Sequence, residues 1–263
     1  MTSLADQIYL SSPIWLQQWL VAAYGWRWYH RRFGGKFNEL LQQYRERDHW
    51  TAEQFRAYQE AKLEKVLQAA WQSPHYRQVF NSAGLQPDTP PFEALAQLPL
   101  LSKQTLRSHP KDLLTQAPPK DVMVFRSSGT TGTPTEIYFT RDFHALELAV
   151  PAARNFGWAG IDYRARRVMF GVRKVCRYDQ DHPPFWRFSP AEDMAYASIY
   201  HLSPRFIPAY LSFLRQYRPA VIMGYPSALR VIAKYAIEND DLPAPAQGIF
   251  TTSETVTEQD RAL

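Results

Sequence analysis

The stretch of the chain that decides the fold reads Ser127-Ser128-Gly129-Thr130-Thr131-Gly132-Thr133-Pro134-Thr135. Glycine allows backbone conformations that a Cβ atom would obstruct, so successive amide N–H groups can turn toward one oxyanion, and the hydroxyl groups add further donors. Pro134 then closes the turn. This composition predicts a loop that binds the phosphates of a nucleotide, and the structural alternative is a flexible polar turn.

The residues on either side of this segment are typical of β-strands. Residues 121–126 and 136–140 are both rich in apolar and aromatic side chains, which predicts a strand-loop-strand hairpin. A Walker P-loop is a different arrangement, because it needs Gly-Lys-Ser/Thr at its end and a helix directly after it. Here Gly132 is followed by Thr133, Pro134 and an extended segment.

The composition is that of a globular protein. A chain of 263 residues with 45% hydrophobic content can bury a substantial core, as one large domain or two small ones. The net charge of +5 fits an anionic ligand or an ordinary solvated surface, and no nucleic-acid-binding motif accompanies it. The single cysteine, Cys176, cannot form an internal disulfide, so we interpret it as a small buried side chain and expect a cytoplasmic protein.

Residues 13–29 are rich in tryptophan, leucine and tyrosine, yet Gln17, Gln18 and Arg27 interrupt them. No apolar run approaches the ~18 residues of a membrane span, so we expect no transmembrane segment. The pattern fits a helix that lies on a membrane surface, or a helix that packs its aromatic side chains on the body of the protein. We favour the second interpretation. The tryptophans concerned are Trp15, Trp19, Trp26 and Trp28.

The chain divides into three regions. Residues 1–82 are predicted to be helical, with a capping box at Thr51 and Gln54. Residues 83–120 form a proline-rich connector with one short helix that ends before Pro110. Residues 121–263 are predicted to form an α/β region.

The α/β region alternates between helical and extended patterns. Repeated alternation of this kind predicts a largely parallel sheet flanked by helices. The predicted elements are a helix at 141–156, a strand at 167–172, a loop at 178–190, a helix from Ser203 as its N-cap, a strand at 220–223, a helix at 227–238 and a strand at 247–252.

Two short motifs follow predicted strands of this sheet. Open α/β sheets bind ligands at the carboxyl edge of their strands, so Gly224-Tyr225-Pro226 is a candidate ligand contact. The alternative is a tight turn with Ser227 as the N-cap of the next helix. Ser253 and Glu254 follow another strand at that edge, where the glutamate could instead cap the next helix.

The histidines do not form a metal-binding pattern. His201 and the other six are scattered, and no His-x-His or His-Glu-x-x-His sequence exists. We therefore expect no metal site built by the protein, and any metal to arrive as Mg²⁺ on the phosphates of the nucleotide.

These motifs together resemble those of adenylate-forming enzymes, the superfamily of acyl-CoA synthetases, luciferases and peptide-synthetase adenylation domains. The resemblance is strongest to the phenylacetate-CoA ligase-like branch, which includes proteins labelled as capsular polysaccharide biosynthesis (CapK-like) proteins. It covers nearly the whole chain. The segments that carry it are 127–135, 200–204, 224–229 and 251–254, with 29–35, 73–77 and 98–103 in the first half.

The resemblance implies an ATP-dependent ligase that makes an acyl-adenylate and then a thioester from a small carboxylic acid, with ATP, Mg²⁺ and coenzyme A as cofactors. It implies that Ser253 and Glu254 lie beside the nucleoside, and that His201, Gly224, Tyr225 and Pro226 border the acyl substrate. Thr133 stands where many relatives have a lysine. The residues implied to cradle the ATP phosphates are Ser127, Ser128, Gly129, Thr130, Thr131, Gly132, Thr133 and Thr135.

One departure from the family pattern limits this inference. The downstream Tyr-Gly-x-Thr-Glu motif, a ribose-binding aspartate and the lysine of a small C-terminal lid domain are absent from the 263 residues. We therefore expect an incomplete large domain, the N-terminal part of a ligase, as a gene fragment or as one part of a split enzyme with a separate C-terminal half. No catalytic residue is assigned. The alternative is a catalytically inactive, truncated paralogue that acts as a binding or interaction module.

Overall fold

A computed structural model of the protein describes residues 4–126 and 135–262, which fold into two compact units. One unit is the continuous segment Gly35–Val150, and the other combines Met1–Gly34 with Pro151–Leu263. These boundaries differ from the three sequence regions, because the first helices pack with the second half of the chain.

The described residues contain eleven α-helices and seven β-strands. The helices are α1 (Leu4–Ser11), α2 (Ile14–Phe33), α3 (Phe37–Arg47), α4 (Ala52–Ala70), α5 (Pro74–Ser82), α6 (Pro91–Gln97), α7 (Lys103–Ser108), α8 (Arg141–Pro151), α9 (Ile207–Tyr217), α10 (Pro226–Glu238) and α11 (Glu258–Arg261). The strands are β1 (Met123–Arg126), β2 (Glu136–Phe139), β3 (Arg167–Gly171), β4 (Trp186–Ser189), β5 (Met194–Ser198), β6 (Val221–Gly224) and β7 (Gly248–Thr251). A π-helical turn, Ala152–Phe156, follows α8, and a 3-10 turn, Pro190–Glu192, follows β4.

The continuous unit is built mainly from α3 to α8. The predicted capping box at the start of α4 is confirmed, since the Thr51 hydroxyl accepts from the Gln54 N–H at 3.3 Å and the Gln54 side chain accepts from the Thr51 N–H at 2.8 Å. Phe80, Leu85 and Ala94 form a small core in this unit.

The predicted hairpin is confirmed by β1 and β2, which pair antiparallel. Arg126 and Glu136 are the last pair of its register, and the Arg126 guanidinium donates to one Glu136 carboxylate oxygen at 2.8 and 3.0 Å. Residues 127–134, which carry most of the predicted phosphate-binding segment, lie outside the described residues.

The second unit contains a five-stranded sheet in the order β4-β5-β3-β6-β7. Strands β5, β3, β6 and β7 run parallel, and only β4 pairs antiparallel. Its core combines sheet residues such as Val168 and Phe170 with α9 residues such as Tyr210 and Leu211. The predicted α/β class with a largely parallel sheet is confirmed.

Two sheet strands depart from the sequence prediction. Strand β4 lies within residues 178–190, which were predicted to be a loop. The prediction failed because two tandem prolines precede the strand and obscure the apolar alternation of Trp186 and Phe188. Strand β5 was not predicted, because it reads Met-Ala-Tyr-Ala-Ser and alanine favours helices. Its burial between β3 and β4 explains why small side chains suffice there.

Helix α9 also begins later than predicted. Its N-cap is Phe206 rather than Ser203, and the Ser203 carbonyl accepts from the backbone N–H groups of Phe206 and Ile207 at 2.9 Å each. Ser203 therefore closes a turn that precedes the helix. Pro208 occupies the first helical turn in place of Pro204.

Helix α2 is held against β4 by polar side chains. Gln18 donates to the Phe188 carbonyl at 2.8 Å and accepts from the Phe188 N–H at 2.9 Å, so it pairs with the edge strand as another strand would. Gln17 accepts from the guanidinium of the fully buried Arg187 at 3.1 Å. The helix therefore docks through amides rather than through its tryptophans.

This docking overturns part of the sequence prediction for α2. Trp15, Trp19 and Trp26 are exposed to solvent, so the expectation that the helix packs its aromatic side chains on the body is wrong for these three. The side of α2 that faces the body instead carries Gln17, Gln18 and Gly25. No helix among the described residues has both the length and the hydropathy needed to cross a membrane.

Candidate functional site

The carboxyl edge of the parallel sheet contains a crevice between its two central strands. After β3 the chain moves to β4 and then β5 on one side, whereas after β6 it moves to β7 on the other. Adjacent strands whose connections leave in opposite directions open a gap at their carboxyl ends, and this is where open α/β sheets bind ligands. The predicted motif at residues 224–226 lies at this point.

A cavity of about 210 Å³ occupies the crevice. Most of its wall is apolar, and the polar groups converge from the segments that follow β3, β6 and β7. Of the predicted site residues, Tyr225 lines it. The lining residues are Met169, Phe170, Gly171, Val172, Arg173, Tyr196, Ala197, Tyr225 and Thr252.

Among the residues that the structure describes, Arg173 is the one charged side chain that lines this cavity. Its guanidinium lies 4.1 Å from the centre of the Tyr196 ring, which is a cation–π contact. The Tyr196 hydroxyl donates to the buried Glu192 carboxylate at 2.7 Å, and burial raises the pKa of this phenol, so it stays protonated. The sequence analysis missed Arg173, although its place two residues after β3 was a usable signal.

Gly224 and its neighbours shape the crevice by packing. A Cβ atom at Gly224 would lie 3.0 Å from both the Cβ and the carbonyl oxygen of Phe170, so only glycine lets β6 approach β3 this closely. Tyr225 is the N-cap of α10, which corrects the prediction that Ser227 has this role. Pro226 begins the helix and faces a different cavity.

Glu254 ties the segment after β7 to the start of α10. Its carboxylate accepts from the Ser227 N–H and from the Ser227 hydroxyl, both at 2.9 Å. It therefore caps the preceding helix, α10, and not the next helix as the structural alternative had it. Ser253 has a φ of 66°, in the left-handed region, and its hydroxyl lies 3.3 Å from that of Thr252. The predicted nucleoside contact of these two residues stays a prediction.

Comparison with known proteins gives several relatives, although no family model matches the chain. Protein CapK of Staphylococcus aureus is 22% identical over 254 residues, which are 96% of this chain and 55% of that protein. The phenylacetate-coenzyme A ligases of Escherichia coli K12 and Thermus thermophilus are each 34% identical, over 97 and 111 residues, which are 35% and 41% of this chain and 22% and 25% of theirs. The chain thus spans about half the length of CapK.

A solved structure agrees with these relatives. The crystal structure of 2-hydroxyisobutyryl-CoA ligase in complex with 2-HIB-AMP and CoA superimposes with a TM-score of 0.52 and 23% identity, over 72% of this chain and 41% of that chain. This match shows the fold. In sequence the chain is similar to CapK and to the phenylacetate-coenzyme A ligases, and in fold it is similar to this adenylate-forming ligase.

His201 does not line this cavity. Its ring is buried and stacks on Phe185 at 4.5 Å. Because the Arg177 carbonyl can only accept, Nε2 carries the hydrogen of the 3.0 Å bond between them, and Nδ1 accepts from the Ser198 hydroxyl at 2.9 Å. Burial lowers the pKa of His201, which keeps the ring neutral. The network positions the segment after β5, and the predicted substrate contact stays a prediction.

Cys176 is buried as predicted, and it has a neighbour that the sequence did not reveal. Its Sγ lies 3.7 Å from Nδ1 of His201. Burial raises the pKa of this thiol, so the pair does not form the thiolate that a nucleophile needs. Both residues are buried and form part of the interior of this unit.

The remaining predicted residues lie elsewhere in the chain. Thr135 is buried at the start of β2, and residues 127–134 are not described. A second cavity, of about 230 Å³ and mostly apolar, lies between α10 and the end of the sheet, with Pro226, Leu229 and Ile249 in its wall. Within residues 4–126 and 135–262 no group of three or more His, Cys, Asp or Glu side chains could hold a metal ion.

Proposed function

We propose that the chain is the N-terminal part of an ATP-dependent carboxylate-adenylating ligase, and that the crevice between β3 and β6 holds the acyl group of a small carboxylic acid. One observation carries this proposal. The cavity at the switch point of the sheet is apolar and has a single guanidinium, that of Arg173, in its wall. This is a suitable lining for a molecule with one carboxylate and an apolar body.

Different side chains of the cavity would contact the apolar body and the carboxylate of the bound acid. Met169, Phe170 and Val172 would contact the apolar body of the acid, and Arg173 would pair with its carboxylate. Tyr225 and Thr252 offer hydroxyl groups from the other side of the crevice. In the proposed reaction a carboxylate oxygen attacks the α-phosphorus of ATP and pyrophosphate leaves. A coenzyme A thiol then takes the acyl group and AMP is released.

The nucleotide would be bound by residues 127–135, whose glycines and hydroxyls suit phosphate oxygens, with Mg²⁺ supplied as the ATP complex. The relative bound to 2-HIB-AMP and CoA supports ATP and coenzyme A as the cofactors. Because the chain matches about half of CapK, we propose that a further segment, such as a separate C-terminal half, completes catalysis.

The acyl site is tested by titrating the chain with phenylacetate and with 2-hydroxyisobutyrate, followed by ligand-observed NMR. Arg173→Gln should weaken binding about tenfold, because a hydrogen bond to a charged group contributes about 1.5–3 kcal/mol. The matched control is Arg177→Gln, an exposed arginine that pairs with Asp179 outside this cavity. Equal affinities of the two variants would contradict the assignment of Arg173.

The nucleotide site is tested separately, by isothermal titration with Mg-ATP. Ser128→Ala and Thr131→Ala should each weaken binding if their hydroxyls contact the phosphates. A folded chain that binds carboxylates without binding Mg-ATP would instead support the truncated paralogue that acts as a binding module.

A further inference from the structure

Helix α2 turns a row of tryptophans away from the protein. The side chains of Trp15, Trp19 and Trp26 are 65%, 70% and 62% exposed, which is far more than a residue of this size shows in a folded interior. At about 100° per residue the three lie within roughly 40° of one another around the helix axis. They therefore form a single stripe, which we call the tryptophan stripe.

The contacts between α2 and the body of the protein keep the tryptophan stripe exposed to solvent. Gln17, Gly25 and Arg32 face the body, where they contact Arg187, Ser189 and Glu192 respectively. At the same 100° per residue these three positions lie about 100–180° around the helix axis from the centre of the stripe. The exposure of the tryptophans is thus imposed by the docking of α2, so the helix presents a preformed apolar ridge.

The charge around the stripe is positive. Helix α2 carries Arg27, His30, Arg31 and Arg32 and has no acidic residue. Arg27 and His30 are exposed, whereas Arg32 pairs with Glu192. Asp6, in α1, is the one acidic residue before Glu39 in the sequence. An anionic surface would therefore be attracted to the C-terminal part of α2, where these basic residues lie.

We propose that the tryptophan stripe docks the protein on an anionic lipid bilayer. Tryptophan is suited to the level of the headgroups, because its ring is apolar while its N–H can still bond to water or phosphate. Arg27 lies beside the stripe and would contact lipid phosphates. In α1, which precedes α2, Leu4 and Ile8 are also exposed and add apolar surface. The protein would thus lie on the membrane without crossing it.

The test is flotation of the full chain with vesicles of phosphatidylcholine alone and with vesicles containing 30% phosphatidylglycerol. The native chain should float with the anionic vesicles, and the triple variant Trp15→Ala, Trp19→Ala, Trp26→Ala should lose at least about tenfold in partitioning. Arg27→Gln should lose about fivefold, the effect of one basic residue near an anionic surface. The matched control is Trp158→Ala, which removes another exposed tryptophan outside α2.

A second readout separates insertion from a folding defect. Brominated lipid in the anionic vesicles should quench the fluorescence of the native chain and of Trp158→Ala, and quench the triple variant far less. Circular dichroism should give the same spectrum and Tm for the triple variant and for Trp158→Ala. Failure of the native chain to float, or equal flotation with neutral vesicles, would overturn the proposal. Concentration-dependent self-association that the triple variant abolishes, without flotation, would show instead that the stripe binds a second copy.

Discussion

At the end of β6, Gly224 lets two strands approach where the crevice opens. The Cβ of Gly224→Ala would meet the backbone and the Cβ of Phe170, and neither can move without shifting β3. We expect a loss of about 1–3 kcal/mol in the free energy of unfolding, measured by urea denaturation. At Gly157 an added Cβ meets only the Ala152 carbonyl, at 3.8 Å. Gly157→Ala should therefore be neutral or slightly stabilising, and an equal loss in both variants would contradict this packing role.

His201 gives the fold a dependence on pH. Its pKa is lowered by burial, whereas in the unfolded chain a histidine titrates near 6.5. As the pH falls through this value the unfolded state binds more protons than the folded state, so the free energy of unfolding decreases. The contribution is complete above about pH 6.5 and is lost in acid.

The measurement is the Tm between about pH 7.5 and pH 5.5. The native chain should lose Tm over this range, and His201→Gln should lose less, because glutamine has no proton to take up. His182→Gln serves as the control, since His182 is exposed and lies on the surface. If both variants keep the full pH dependence of the native chain, the buried ring is not its source.

At the scale of the secondary structure elements, one buried carboxylate adds to the attachment of α2 that Gln17 and Gln18 provide. Glu192 accepts from Arg32, from the Ser189 hydroxyl and from the Tyr196 hydroxyl at 2.7, 2.8 and 2.7 Å. Arg32 is its one cationic partner in a salt bridge among the described residues. A buried carboxylate that loses its cation costs much more than an exposed ion pair contributes.

We therefore expect Arg32→Met to lower the free energy of unfolding by about 3 kcal/mol, measured by chemical denaturation. Adding Glu192→Gln should restore part of the loss, because the remaining amide is neutral. Lys36→Met, which breaks the exposed pair with Asp142, should have little effect. If the double variant were no more stable than Arg32→Met alone, the loss would come from packing and not from the charge.

At the scale of the whole molecule, the two compact units have separate cores. The cluster around Phe170 and Tyr210 belongs to one unit and the cluster around Phe80 to the other, with no residue in common. Proteins open locally in contiguous cooperative units. A substitution in one core should therefore accelerate amide exchange mainly within its own unit.

Hydrogen exchange followed by mass spectrometry tests this with Gly224→Ala. Peptides from 151–262 and from 4–34 should exchange faster than in the native chain, and peptides from 35–126 should keep their rates. The faster amide exchange within 4–34 is the most informative result, because these residues lie far from Gly224 in sequence and belong to the same unit. A uniform rise along the chain would show one cooperative unit instead of two.

The sequence predicted those elements whose signals are local. The capping box at Thr51, the hairpin strands and the strands β3, β6 and β7 all follow from short-range apolar pattern and turn residues. Strand β5 was missed because alanine favours helices, and its burial between two strands is set by the tertiary structure.

The candidate site was predictable only in part, for the same reason. Tyr225 could be placed because a strand-to-helix junction is visible in sequence. The bond between Glu254 and Ser227 joins residues that are 27 positions apart, and the contact between Cys176 and His201 joins residues 25 apart. No local pattern encodes such pairs. Arg173 was ambiguous for a related reason, since only the fold distinguishes a residue in the crevice from one on an ordinary surface.

The docking of α2 on β4 has a consequence for the synthesis of the protein. The Gln17 side chain can bond to Arg187 only after Arg187 has been synthesised, 170 residues later in the chain. At about 5–20 residues per second the ribosome needs roughly 10 to 30 s to make that stretch. During this time the continuous segment Gly35–Val150 is complete and can fold. Helix α2 meanwhile has no strand to dock on, so both its faces are open to chaperones on the nascent chain.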